Sequence, residues 1–348
     1  MLGVRGPFPE SELCHPLDRA WLHYAFLSSD SAHAVISNLS VLGPERPAAS
    51  AGGPAGGPAA GREPQRMAIL LVHEPDRGWS TSQFNAVQPD RPWSPFRLPH
   101  PHHAPGRFPV AARAGAPAVD LQLARTSRPC TSRCAPLGDD RHLRWQSEPG
   151  IRGRGALSTP HGKATLDLTG YHERVRGRWD WSALGGWVFG FANAPCDDAA
   201  GPPPWSVVFT LLLPERPRDC AGGSVALWRA GRLLRQFPRR GVQVAVHGDL
   251  DRDRVTLVPP LAAALGTAPA PPVPRRLLIT ARMGEDRLVL DFQAFTAARI
   301  ASPSETTLRP FSVHETLGWC AVEGAVSGRE VDFRARGVVE YAGGARDD

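Results

Sequence analysis

The sequence predicts an all-β protein built from two similar β domains in tandem, and three observations carry that prediction. Short runs rich in Val, Leu, Ile, Phe and Trp alternate with Gly, Pro and Asp clusters at spacings of roughly ten residues, as in a succession of strands and turns. Long stretches with apolar residues every three or four positions, the mark of amphipathic helices, are missing. The chain also repeats part of its own pattern at half its length. At 348 residues it is longer than one ordinary core serves, which agrees with two domains.

The clearest strands are Met67–His73, Val119–Leu123, Trp205–Leu213, Val242–His247, Arg276–Arg282, Leu288–Ala294 and Val331–Tyr341. The last alternates: Val331, Phe333, Ala335, Val339 and Tyr341 share one face, and Asp332, Arg334, Arg336 and Glu340 the other. Ten tryptophans supply bulk for sandwich or barrel interiors. Only Leu261–Leu265 and Ala294–Ile300 read as short helices. Residues Pro44–Gln65 are low in complexity and predict a disordered loop interrupting a hairpin. Residues Pro89–Gly115 predict an irregular loop pinned by Trp93, Phe96 and Phe108, a candidate lid.

The repeat runs as follows. Trp21-Leu22-His23-Tyr24-Ala25-Phe26, Asp30 and a strand reaching Leu42-Gly43-Pro44 match Trp187-Val188-Phe189-Gly190-Phe191, Asp197-Asp198 and a strand reaching Leu213-Pro214. A His-Glu pair then closes each half, His172-Glu173 and His314-Glu315, at 151 and 127 residues from its tryptophan. The excess is close to the length of the low-complexity insert. The expected domains are residues 1–182 and 183–348.

Composition narrows the function. The net charge is +6, but the basic residues are almost all arginine, Lys163 being the only lysine, and they are scattered among acids. No basic stripe or nucleic-acid motif appears, so nucleic acid is not an expected partner. No run approaches the ~20 apolar residues of a membrane span. The N-terminus lacks the apolar core of a signal peptide, so the expected location is the cytoplasm, with peripheral membrane contact left open. Of Cys14, Cys130, Cys134, Cys196, Cys220 and Cys320, only Cys130 and Cys134 are close in sequence, and no second pair completes a zinc set. Free thiols and no metal are expected. The His100-Pro101-His102-His103 run lies in a Pro-rich loop. A Gly-x-Ser-x-Gly elbow, a P-loop, a His-Glu-x-x-His and a dinucleotide fingerprint are all missing, so no cofactor is expected.

What remains is one dense stretch, Gly170-Tyr171-His172-Glu173-Arg174-Val175-Arg176-Gly177-Arg178-Trp179-Asp180-Trp181, at the expected seam between the domains. With Gly185-Gly186-Trp187 it resembles the carotenoid 1,2-hydratase family and its AttH-like relatives. The tail is similar too: His314-Glu315-Thr316-Leu317-Gly318, Val322-Glu323-Gly324-Ala325-Val326-Ser327-Gly328 and Gly337-Val338-Val339-Glu340-Tyr341. The resemblance implies two lipocalin-like β-barrel domains in tandem with a ligand site in or between them. The wider group includes tocopherol cyclases and fungal lipocalin-like Diels–Alderases. Against the family motif Gly-Tyr-His-Asp-His-Asn-Trp-Gly, the chain matches at Gly170, Tyr171, His172 and Gly177 and has Glu173 for Asp. Arg174 and Arg176 stand where the family has a His and a Trp, which the resemblance implicates in hydration. A Tyr-x-Asp on the following strand is also missing.

Glu173 in an apolar site would stay protonated and serve as a proton donor, with His172 as its partner or shuttle. The indoles of Trp179, Trp181 and Trp187 suit a developing cation. Tyr171, Arg174 and Arg176 offer hydrogen bonds to a substrate carbonyl or carboxylate. The leading expectation is a cofactor-free cyclase or isomerase that shapes a hydrophobic polyene or polyketide-like chain for intramolecular [4+2] cyclisation. A carotenoid 1,2-hydratase is the second, and a non-catalytic lipid or isoprenoid binder the third.

Overall fold

The computed structural model of the chain describes residues 13–30, 32–44, 64–85, 106–111, 114–131, 135–138, 140–179, 185–196, 198, 201–213, 223–258, 272–303 and 310–344. The first half supplies β1 (Asp18–Ser28), β2 (Ala34–Leu42), β3 (Gln65–Glu74), β4 (Gly78–Asn85), β5 (Gly106–Val110), β6 (Ala118–Ala124), the short β7 (Cys130–Thr131) and β8 (Ala135–Pro136), β9 (His142–Thr159) and β10 (Gly162–Arg178). The second supplies β11 (Gly186–Asn193), β12 (Trp205–Leu213), β13 (Gly223–Arg229), β14 (Arg232–Pro238), β15 (Val242–Asp249), β16 (Val255–Leu257), β17 (Pro274–Met283), β18 (Asp286–Pro303), β19 (Pro310–Val326) and β20 (Arg329–Gly344). No α-helix occurs among the described residues. Hairpins turn where the backbone needs left-handed residues: Ala230 with Gly231, and Ser327 with Gly328, have positive φ at both turn positions.

Each half is one curled sheet of a half-barrel, and the two form tandem lipocalin-like units. The strand orders are β4-β3-β2-β1-β10-β9-β6-β5 and β14-β13-β12-β11-β20-β19-β18-β17-β15. In both, an up-and-down run of four strands is joined by its first member to the last strand of the half. The joining strands are therefore buried on both faces. On β1, Leu22, Tyr24 and Phe26 fill the first barrel, with Phe108, Leu70 and Leu168. Trp21, Ala25 and Leu27 point the other way, into a shared core with Phe189, Phe191, Leu317 and Val338 of the second sheet. On β20, Val331, Ala335 and Val339 fill the second barrel and Phe333 and Tyr341 pack against it, the face that alternation predicts.

Several expectations need correction. Ala294–Ile300 is not helical: its alanines sit inside β18, where Ala297 and Ala298 are buried and β19 and β16 pair with it. Helix-favouring composition yields there to the two neighbouring strands. Within the expected 89–115 loop, Gly106–Val110 is strand β5, paired with β6, and Phe108 belongs to the first core. The repeat is real in topology, but its closing pairs were mismatched. His172-Glu173 lies on β10, the strand beside β1, whereas His314-Glu315 lies on β19, one strand further out. Counting from the tryptophans gives the true counterpart: Trp21 opposes Val175 and His23 opposes Glu173, while Trp187 opposes Ala342 and Phe189 opposes Glu340. Glu173 matches Glu340. Residues 45–63, the His100–His103 run, Trp93, Phe96, Leu261–Leu265, Cys134 and Cys220 lie outside the described residues. The other four cysteines are free thiols.

Candidate active site between the sheets

Strand β10 positions the seam. Gly170 lets it lie close to β1, since a Cβ there would sit 2.1 Å from the Ala25 carbonyl oxygen. A β-bulge on β9 opposite Gly170 and Tyr171 places Gly150 at φ +74, a conformation side chains resist. Beyond the bulge the side chains of β10 alternate strictly, and this divides the predicted site residues between two environments.

Tyr171, Glu173 and Val175 face the second sheet. The Tyr171 hydroxyl bonds Ser147 Oγ at 2.9 Å and Glu173 Oε2 at 2.6 Å, and its ring lies against Phe189 and Phe191 with centroids 5.0 and 5.3 Å away. The Trp21 indole also bonds Glu173. Burial lifts the Glu173 carboxyl to about 8, so near neutral pH it is mainly the neutral acid. Trp21 meets Trp179 edge-on at 5.3 Å and Trp187 at 5.9 Å. Across the same layer, Trp187 Nε1 donates to Glu340 Oε1, and burial raises both Glu315 and Glu340.

His172, Arg174 and Arg176 share the opposite face, toward the first barrel. His172 stacks on Tyr24 at 4.1 Å, its Nδ1 is 2.9 Å from the His23 carbonyl oxygen, and Arg174 Nε donates to its Nε2 at 3.2 Å. A carbonyl only accepts, so Nδ1 carries the proton and Nε2 is the acceptor. Burial, aided by Arg174, drops His172 to about 3, which leaves it neutral. The same interior holds Glu148, clasped by Arg125 at 2.5 and 2.8 Å. His172 and Glu173 therefore do not meet: adjacent residues on a strand point to opposite sides. Trp179 and Trp187 are buried in the shared core, and Trp181 lies outside the described residues.

The open part of the interface is a groove of about 310 Å³ at one end of the shared core. Leu27, Arg152 and Thr169 line it from the first sheet, and Phe191, Asn193, Trp319 and Arg336 from the second. Phe191 connects the groove to the Tyr171–Glu173 pair. Arg152 is held by Thr169 and the carbonyl oxygens of Asp198 and Gly201, although its buried Nε finds no acceptor among the described residues. The Arg336 guanidinium lies 5.8 Å from the Phe295 ring centroid, and its buried Nη1 has no acceptor among the described residues. Burial lowers its pKa. Arg334 stacks over Trp319 at 5.2 Å, which holds that exposed indole at the rim. Sequence reasoning missed Phe191, Trp319 and Arg336 as site residues. The alternation of Val331–Tyr341 did place Arg334 and Arg336 on the face of Glu340, the one available signal.

No family model matches the chain, and no curated protein sequence does. Solved structures do. A candidate AttH protein of Nitrosomonas europaea aligns over 99% of both chains with 14% identity and a TM-score of 0.61. CghA with Sch210972 aligns over 94% of this chain and 89% of its own, with 13% identity and a TM-score of 0.56. Kievitone hydratase of Nectria haematococca aligns over 97% and 93%, with 11% identity and a TM-score of 0.54.

Proposed function

For a chain with the fold shared by these AttH-like structures, we propose a cofactor-independent enzyme that cyclises a hydrophobic polyene- or polyketide-like substrate bearing a carbonyl or carboxylate. An intramolecular [4+2] cyclisation is the concrete form. The observation that carries it is the groove: apolar walls from both sheets beside Arg336, a permanently charged donor with an N–H to spare. Such a cyclisation makes two carbon–carbon bonds and transfers no proton, so the protein has two tasks. One is to hold diene and dienophile in a reactive fold, which converts rotational freedom into rate. The other is to polarise the conjugated carbonyl by a hydrogen bond that strengthens as charge develops, in a site with little water. Kievitone hydratase and CghA with Sch210972 are small-molecule proteins of the same fold, which supports the substrate class.

The test is purified protein with a linear polyene carrying a conjugated carbonyl, followed by mass spectrometry and NMR. The expected product has the mass of the substrate and one new ring pair. Arg336→Met is expected to lower turnover by about 10²–10³-fold, the usual loss for one oxyanion-type donor, with Arg336→Lys between. Equal turnover in Arg336→Met and wild type removes the assignment.

Hydration is the second reading. The Glu173 carboxyl favours it, buried among Trp21, Tyr171 and Phe189 and held by Tyr171. That reading predicts a product heavier by one water and a loss of turnover in Glu173→Gln that Arg336→Met does not share.

A further inference from the structure

Within the shared core, three ligand-type side chains from both sheets converge without a cation. His23 comes from β1, Glu315 from β19 and Glu340 from β20, and one donor atom of each lies within 4.8 Å of the others. His23 Nδ1 is 4.0 Å from Glu315 Oε1, too far for a hydrogen bond. His23 and Glu315 are each only 2% exposed, and His23 Nε2 and Glu315 Oε2 find no partner among the described residues. Buried polar atoms are nearly always satisfied, so the orphaned Glu315 Oε2, in the same cluster as His23 Nδ1, asks for a missing partner.

We propose that His23, Glu315 and Glu340 form a structural site for a divalent cation of the zinc type that ties the two sheets together. Two carboxylates and one neutral imidazole make an uncharged unit with such an ion, which is what an apolar interior tolerates. Nitrogen and oxygen ligands about 2.0–2.2 Å from a tetrahedral zinc lie roughly 3.4 Å apart, so the His23–Glu315 pair needs an approach of only about half an ångström. A carboxylate binding through both oxygens completes the shell and uses the orphaned Glu315 Oε2. Trp187, which donates to Glu340 Oε1, supplies the outer hydrogen bond that orients a ligating carboxylate. The imidazole argues against magnesium or calcium, which prefer all-oxygen sets. The rival occupant is a proton, because Glu315 and Glu340 also hydrogen-bond each other.

The experiment takes full-length protein stripped with a chelator and titrates it with zinc, reading bound metal by elemental analysis after gel filtration and stability by thermal unfolding. The expected result is one bound zinc per chain and a Tm rise of about 3 °C or more at a hundredfold excess over Kd. Cobalt substitution should give a spectrum without thiolate charge transfer. Glu315→Gln and His23→Gln should each reduce bound metal at least tenfold, while a His102→Ala, His103→Ala double variant keeps one equivalent. No stoichiometric zinc and no Tm rise in the wild type would mean a shared proton only, and the proposal fails. It fails equally if the histidine double variant loses the metal while the His23 and Glu315 variants keep it.

Discussion

The two halves of the molecule solve one packing problem with different chemistry. Each has a tryptophan near the start of its first long strand, Trp21 and Trp187, whose indole holds a buried glutamate one strand away, Glu173 and Glu340. The residue opposing that glutamate on the first strand is His23 in one half and Phe189 in the other. On the penultimate strand it is Ser147 in one and Glu315 in the other. The first half thus satisfies its carboxyl with hydroxyl groups, Tyr171 bonding both Ser147 and Glu173. The second half sets acid against acid, Glu315 beside Glu340, with Trp187 donating to Glu340. The lesson is that the duplicated framework is symmetric while its polar layer is not, so equivalent substitutions should have unequal effects.

The largest expected difference is at the tryptophans. Trp187→Ala should cost about 3–5 kcal/mol, because it empties a buried site and removes the donor to Glu340. Trp21→Ala should cost clearly less, since Trp21 is half-buried and Glu173 keeps Tyr171. Urea unfolding of both variants decides it, and equal costs would break the asymmetry. Tyr171→Phe comes next, at about 1–3 kcal/mol, as it removes the hydroxyl that bonds both Ser147 and Glu173. The matching position in the second half is Val338, which has no such bond to lose.

A smaller effect concerns pH. Burial, with Arg336 and His33 adding to it, lowers His73 to about 4, and its ring packs between Trp79 of its own half and Phe295 of the other. The unfolded chain binds this proton near pH 6.5 and the native protein does not, so stability falls as pH drops from about 6.5 to 4. In His73→Phe the fall of Tm across that window should be shallower, while above pH 7 the difference between variant and wild type should be constant. The smallest effects are at the surface clasps Arg107–Asp120 and Arg276–Asp291, which join β5 to β6 and β17 to β18 in the same manner. Both arginines are well exposed, so Asp120→Asn and Asp291→Asn should leave Tm within the scatter of the measurement.

Much of the architecture was legible because strands announce themselves locally. The β3, β6, β12, β17, β18 and β20 runs are apolar segments between turn residues, and their positions follow from composition alone. The site was only half legible. The stretch from Tyr171 to Trp179 was visible as a concentration of chemistry, yet the two-residue period of a strand sends His172 and Arg174 into one barrel and Tyr171 and Glu173 toward the other. Glu340 and Arg336 were placed only on the face opposite Val331, Ala335 and Val339, because nothing in a single strand reveals that a second sheet covers part of it. The His314-Glu315 pairing misled because a two-residue match carries little information, whereas strand register, set by tertiary pairing, is decisive. Two segments with a buried central residue, Asp120-Leu121-Gln122 and Asp291-Phe292-Gln293, are a better repeat marker, as both lie on strands carrying the same arginine clasp.

The joining of the first strand of each half to its last has a consequence for how the chain is made. Strand β1 ends at Ser28, and the partner that covers its open edge, β10, begins at Gly162. At synthesis rates of about 5–20 residues per second, that edge and its apolar face toward the second sheet wait roughly 7–30 s for their first neighbours beyond β2. Such long loop closure is slow in the finished chain as well. The nascent first half is therefore the stage at which this protein is most exposed to wrong strand pairing, and where a holding chaperone has the most to protect.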